Sequence, residues 1–448
     1  MKNYLLTLML LASCFIGIQS CTSGKGENAN AAMADGIPAI LERTSDIGAD
    51  EEREKLLTAY DNAVIAIRQN PEDAGQYLVL AQVFITEARL TGNTGYYNLS
   101  AVKMLDNVLN KRADDKDLAF QALTFKSGVL LSMHQFKDAL DVANQAYTIT
   151  QHNAQIMGAL VDAHVELGEY AEAVTMCDNM INLRPDIRSY SRVSYLRQIH
   201  GDNAGAIEAM KMAVEAGAPG AESTEWARII LGDLYLMTGD LTAAEVNYKT
   251  ALGYRKNYPY AYAALGRLEK AKMNYDEAIK QTEEAIRIMS DVSFVSQLAD
   301  LYELKGNAEK AKEIRNDIVD LLEQAEKDQN KENTSIKHNG ARELATAYLK
   351  AGDTKNALKY AEQDLAMRPA NIDANELVAW IYFVKGDHAK ASVHADKMLA
   401  TNSKNPNTLY KAGLIYNAEG NTEKANSLIA ESKTMSSSID PTLLKYSN

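Results

Sequence analysis

A six-residue phrase, Gly-(Asp/Asn)-x-x-x-Ala, occupies residues 352–357, 386–391 and 420–425, each copy 34 positions after the last. Glycine can end a helix in the left-handed conformation without steric penalty. Asp or Asn beside it can accept the free N–H groups of the helix that follows. An alanine early in that second helix lets a neighbour approach closely. The phrase is therefore a helix–turn–helix joint. Earlier copies stand at Gly306, Gly239, Gly201 and Gly168, and two that lack glycine at Met273 and His134. A fixed period of this length means helix pairs that bury their apolar faces only by stacking on their neighbours.

The stretches between joints carry the helical period. After Gly168, apolar residues fall at Tyr170, Ala173, Val174, Cys177, Met180 and Ile181, and before it at Met157, Leu160 and Val161, with His164 on the same stripe. No stretch alternates like a strand. Pro71, Pro185, Pro259, Pro369 and Pro406 stand where one pair ends and the next begins, as expected of a residue tolerated only in a first helical turn. Two intervals depart from the period. Residues 217–223 lengthen one loop, and the interval between Gly306 and Gly352 is overlong, with an uninterrupted polar run at 326–333. The organisation expected is an N-terminal array at 46–325, a polar seam or protruding loop at 326–337, a C-terminal array at 338–435 and a capping tail at 436–448. Residues 51–70 read as an unpaired capping helix. Residues 91–98 read as an insertion within the first pair.

The repeat resembles the tetratricopeptide repeat (TPR) family. Its pattern is carried by Leu231-Gly232, Tyr235, Gly239, Ala244, Tyr248 and Ala251, then by Tyr262, Leu265-Gly266, Tyr275, Ala278 and Ala285. Tyr348, Ala357, Ala361 and Pro369 follow it, as do Tyr382 and Ala391, and Leu409, Gly413, Tyr416 and Ala425. The resemblance covers about 70–440. It implies an all-α fold, a right-handed superhelical α-solenoid of antiparallel helix pairs with about nine or ten repeats, the first helix of each pair lining the concave face.

The N-terminus reads as a targeting segment. Lys2 precedes an apolar run at 4–18, shorter than a spanning helix needs. Ile18-Gln19-Ser20-Cys21 resembles a bacterial lipobox, which would make residues 1–20 a signal peptide and Cys21 the lipidated first residue; Leu11-Ala12-Ser13-Cys14 is the competing match. Residues 21–45, rich in small and polar side chains, are expected to form a flexible tether. Thr22 after the cysteine favours, by resemblance to sorted lipoproteins, an outer-membrane location facing the periplasm. Beyond Cys14 and Cys21 only Cys177 remains, so the packed core must do without a disulfide.

The formal net charge of −13 argues against nucleic acid as a partner. The seven histidines are scattered, and no metal, nucleophile or phosphate-cradling motif is present, so no enzyme activity, cofactor or metal is expected. Binding is the expected chemistry. At the inward positions implied by the resemblance stand Trp226, Asp233, Tyr260, Arg267, Lys270 and Asp300, then Trp380 and Phe383, a mixture of charges and aromatics suited to a protein or peptide partner. The three-helix Lys/Asn/Arg set with which some TPRs grip a terminal carboxylate is missing. The expected function is a non-enzymatic, lipid-anchored scaffold of the cell envelope; the alternative is a SusD-like outer-membrane glycan-binding lipoprotein.

Overall fold

The computed structural model describes residues 36–43, 47–48, 50–112, 114–331, 336–435 and 439–447. Among these the regular structure is helical, with no strand. Helix α1 (Asp50–Gln69) is followed by ten antiparallel pairs. They are α2 (Ala74–Thr91) with α3 (Thr94–Lys111), α4 (Lys116–Ser132) with α5 (Phe136–Ile149), and α6 (Ala154–Leu167) with α7 (Tyr170–Leu183). Next come α8 (Ile187–Ile199) with α9 (Asn203–Ala216), α10 (Glu222–Met237) with α11 (Leu241–Tyr254), and α12 (Pro259–Ala271) with α13 (Tyr275–Ile288). The last four are α14 (Val292–Leu304) with α15 (Ala308–Lys331), α16 (Ala341–Ala351) with α17 (Thr354–Met367), α18 (Ile372–Lys385) with α19 (His388–Met398), and α20 (Pro406–Glu419) with α21 (Thr422–Lys433). A 3-10 helix at Pro441–Tyr446 ends the described chain. This is the all-α solenoid of helix pairs expected from the repeat.

The joints work as their residues dictate. In nine of them the residue five places after the left-handed position is an alanine no more than 1 % exposed, from Ala139 and Ala173 to Ala391 and Ala425. Asp202, Asp240, Asp353, Asp387 and Asn421 accept the third backbone N–H of the following helix. His134 and Met273 hold positive φ, 57° and 62°, where the other joints have glycine, so the turn survives its loss. The first pair hides its joint differently. Gly92 ends α2 in the left-handed conformation, but the usual alanine is replaced by Tyr97, fully buried. Residues 94–98 are therefore helix and not an insertion. Tyr97 has a reason to be large, for its hydroxyl accepts the Leu41 N–H at 2.9 Å.

That contact anchors a segment expected to be free. Ile37 is 4 % exposed in the first core cluster, and Arg43 forms a buried ion pair with Glu87. At residues 36–43 the presumed tether is docked over α1–α3, by apolar residues (Ile37, Ile40, Leu41) that its general composition obscures. The rest of the tether (residues 21–35 and 44–45), with Cys21, and the signal segment lie outside the described residues.

The solenoid closes on itself. The joint at 134–135 meets the segment before α16: Gln135 donates to the Lys337 carbonyl at 2.6 Å, and Asn339 N–H to the Met133 carbonyl at 2.9 Å. One repeat on, Asn371 donates to the Glu166 carbonyl at 3.0 Å, and Ile372 N–H to the Tyr170 hydroxyl at 2.9 Å. Two repeats on, Asn203 reaches the Lys404 carbonyl at 3.5 Å. Earlier in the chain Arg255 pairs with Glu52 at 3.0 Å, and Gly92 faces Met289. Each contact joins positions about 200 residues apart, or six repeats of 34. Six repeats thus complete one superhelical turn, and the joints along one edge of each turn seat against the inter-repeat loops of the next. The end of the polar seam takes part: Lys337, expected in a solvated loop, and Asn339 just beyond it are docked on the first turn, because their carbonyls satisfy the 134–135 joint. Arg368, 1 % exposed, fastens the same interface by pairing with Asp364 at 2.7 Å and with Glu166 at 2.6 Å across the turns, its guanidinium 5.2 Å from the Phe136 ring.

Glycine substitution separates the local from the inter-turn effect. A Cβ at Gly168 would lie 2.5 Å from the Ala370 carbonyl carbon, whereas one at Gly352 meets nothing within 4 Å. Their φ values are similar, 82° and 89°. Gly352→Ala is expected to cost about 1–2 kcal/mol, from the left-handed backbone alone. Gly168→Ala must also push the second turn away, adding roughly 1–3 kcal/mol as overpacking does. Thermal or denaturant unfolding of the two variants checks this, and equal losses would contradict the inter-turn contact.

Candidate functional site

First helices pack against the first helices of neighbouring repeats, while second helices do not approach one another comparably. In a curved stack the layer with the closer spacing is the inner one, so the first helices line the inside of the winding.

Their polar side chains are tied from helix to helix by ion pairs. Arg192 on α8 bridges to Asp162 on α6, with Nε to Oδ1 at 2.8 Å. Arg267 on α12 places Nη2 2.8 and 2.9 Å from the two Asp233 oxygens on α10, and Tyr248 donates to the same carboxylate at 2.7 Å. Burial, followed by the charge of Asp233, raises the Tyr248 hydroxyl pKa far above its ordinary value. Asp300 on α14 is 8 % exposed and pairs with Arg315 at 3.0 Å and Lys350 at 2.7 Å. Arg342 on α16 lies 3.6 Å from Asp373 on α18. Burial, partly offset by Arg342, raises the Asp373 carboxyl pKa. Glu376 accepts from Lys411 at 2.7 Å and Thr408 at 2.6 Å, and these partners lower its pKa against the opposing effect of burial. The charges noted at the inward positions, Asp233, Arg267 and Asp300, are thus paired across neighbouring helices.

The C-terminal tail occupies the inner face. Asp440 caps the 3-10 helix, receives Lys270 of α12 at 2.7 Å, and takes Asn407 Oδ1 of α20 on its own N–H at 2.6 Å. Lys445 reaches Glu303 of α14 at 2.8 Å, and Ser447 bonds the Tyr410 hydroxyl. Ile439 and Leu443 pack with Trp380, Tyr410 and Leu414. The Trp380 ring stacks on Phe383 at 4.8 Å and meets the edge of Tyr446 at 5.1 Å. The tail therefore bridges α12 and α14 to α18 and α20, reaching beyond the last pair it was expected to cap.

Of the residues singled out by sequence, the structure gathers Lys270, Trp380 and Phe383 under the tail, and Trp380 is left 7 % exposed. Asp233 with Arg267, and Asp300 with its two cations, belong to the ion-pair lattice. Tyr260 stands apart at the inter-turn edge, against Tyr258 at 5.4 Å and Phe294 at 5.9 Å, where burial pushes its hydroxyl up to about 12. Trp226 is separate too and stays 40 % exposed. Sequence reasoning missed Asn407, Tyr410, Asp440 and Tyr446. The available signal was an Asp-Pro helix start at 440–441 with apolar residues on either side. Burial pushes the Cys177 thiol up to about 11, away from the thiolate a nucleophile needs.

Two family models of the tetratricopeptide repeat match, at residues 130–198 and 342–406, so the chain carries tetratricopeptide repeats in both halves. No curated protein matches the sequence. Among solved structures, the chain is similar to one in the APC/C hetero-tetramer Cut9–Hcn1, with 13 % identity and a TM-score of 0.44, covering 86 % of this chain. It spans 59 % of that chain. It is similar also to PilW, described as a widely conserved type IV pilus biogenesis factor, with 14 % identity, a TM-score of 0.38 and 44 % and 91 % of the two chains covered. MamA shares 22 % identity at a TM-score of 0.29, covering 38 % of this chain and 97 % of its own.

The tail contact has a defined pH response. Burial works against the Asp440 carboxylate, but Lys270 and the Thr442 N–H prevail and hold its pKa down to about 2. A carboxylate depressed from an ordinary value near 4 contributes stability that is complete above that value and lost as pH falls toward 2. In Trp226→Phe protein, where Trp380 is the remaining tryptophan, fluorescence should be constant from pH 7 to about 4.5 and change below. Adding Lys270→Met should move the change upward. A transition between pH 7 and 5 in the Lys270-containing protein would contradict the assignment.

Proposed function

We propose that this chain is a non-enzymatic scaffold of the bacterial cell envelope that binds an extended protein segment along its inner face. Its tetratricopeptide repeats are of a kind that mediates protein–protein interaction, which supports the general reading. The observation that carries the specific one is the tail. A nine-residue stretch, 439–447, is already held there by two ion pairs, an aromatic box of Trp380, Phe383 and Tyr446, and a polar clamp from Asn407. Few side chains dominate such contacts, and buried tryptophan and tyrosine are typical anchors. A partner segment with an acidic residue a few positions before an aromatic one would reproduce the pattern. Membrane attachment through a lipid on Cys21, in the outer membrane and facing the periplasm, completes the proposal.

The test uses the chain truncated after residue 435, its fold verified by circular dichroism, and a synthetic peptide of residues 436–448. The peptide should bind the truncated chain one-to-one and the full chain at least tenfold more weakly, and Trp380→Ala should abolish binding. A well-folded truncated chain that ignores the peptide would contradict an inner-face peptide site. Separately, Cys21→Ser should move the protein from membrane to soluble fractions; persistent membrane association would contradict lipidation at Cys21.

A further inference from the structure

The histidines look scattered only along the sequence. His134 and His338 are 204 positions apart, six repeat lengths, so the winding that stacks one turn on the next brings them face to face. Their ring centroids lie 4.9 Å apart. Glu343, in the first turn of α16, comes between them, its Oε1 at 3.1 Å from His134 Nδ1 and 3.5 Å from His338 Nε2. All three ligating atoms lie within 4.8 Å of one another. We propose that His134, His338 and Glu343 form a binding site for a divalent transition-metal cation of the zinc class, which fastens the first superhelical turn to the second.

Three features argue for this. The donor set, two imidazole nitrogens and one carboxylate oxygen, is one that zinc-type ions accept, leaving a fourth position for water. Metal–ligand bonds of about 2.0–2.2 Å place tetrahedral donors roughly 3.3–3.6 Å apart, and the two separations from Glu343 Oε1 already stand close to that range. Finally, hydrogen bonding among the three residues leaves the cluster incomplete. A carboxylate accepts protons and donates none, so both imidazoles must direct an N–H at one oxygen, while the buried Glu343 Oε2 has no partner at all. A cation would take up both nitrogen lone pairs and leave that second oxygen free to turn into its coordination shell.

The position of His134 adds to the argument. It holds a left-handed φ of 57° at a joint where most repeats have glycine, a conformation that costs a residue with a Cβ. Glycine would make the turn as well, so the turn itself does not call for an imidazole. The His134 ring stacks on Phe136 at 5.5 Å, which holds it toward Glu343, and an ion at Nδ1 would replace the proton that this nitrogen now directs at the Asn339 carbonyl, 3.3 Å away. Glu343 comes from a different turn, so an ion held by all three bridges the interface. It binds only the wound form, and metal at a hundred times its dissociation constant should shift the unfolding equilibrium about a hundredfold.

The experiment takes the full chain stripped of metal and adds Zn2+ alone, read by calorimetry and by unfolding with and without the ion. One equivalent should bind in the micromolar range or tighter and raise the melting temperature. His338→Ala and Glu343→Gln should each weaken binding at least tenfold, while His152→Ala, at a distant loop, should not. The most informative variant is His134→Gly. It keeps the left-handed turn, so the metal-free protein should still fold, yet lose the response to Zn2+. Failure of the wild type to bind a stoichiometric ion would overturn the proposal. So would binding that survives His134→Gly and His338→Ala together.

Discussion

The edge-to-edge contact between successive turns of the winding is the constraint on which the rest depends. A helix-pair array is held locally by its small joint alanines, which set how closely neighbours stack and so how sharply the ribbon curves. Here the curvature brings residue n beside residue n + 204. The ribbon's upper edge, made of joints, then meets its lower edge, made of inter-repeat loops. The contact is polar and specific. Side-chain amides cap carbonyls of the opposite turn, the Tyr170 hydroxyl accepts a backbone N–H, and the buried Arg368 holds carboxylates of both turns. A buried charge with its partner removed costs several kcal/mol, so these groups specify the register in which the turns meet. An array of stacked repeats has only nearest-neighbour interactions; this one gains a second set, between repeats six apart.

Winding so closely changes what the inner face offers. Ion pairs join α6 to α8, α10 to α12, and α14 through α16 and α18 to α20, so many of its charges are already paired. One apolar site on it is the box around Trp380, and the chain's own tail lies in it. A partner must then compete with an intramolecular ligand whose effective concentration is high. That arrangement favours segments resembling the tail over any chance peptide.

The joints, the helix pairs and the count of repeats were legible in the sequence because each depends on local chemistry: a left-handed residue, a capping side chain, an alanine at a fixed offset. Tyr97 shows where that legibility fails. It stands in an alanine position for the sake of Leu41, a residue 56 places away, and its size disguised the first repeat. The seam fails in the same way. Lys337 looks like solvated loop, and with Asn339 beside it becomes interface only because the joint at 134–135 arrives from another turn. Trp380 was recognisable as an aromatic at an inward position, but nothing local could say that Tyr446 covers it. The histidine–glutamate cluster is the extreme case: its members share no motif, and only the number of repeats per turn places them together.

That number can be measured directly. Spin labels at Glu169 and Ala370, both exposed beside the inter-turn contact, in a background without native cysteines, would report the distance between repeats that are six apart along the array. A close-wound solenoid gives a short, narrow distribution set by the label arms. If the turns stood apart even by the length of one 14-residue helix, the labels would be about 21 Å further separated, and a long or broad distribution would contradict the six-repeat turn.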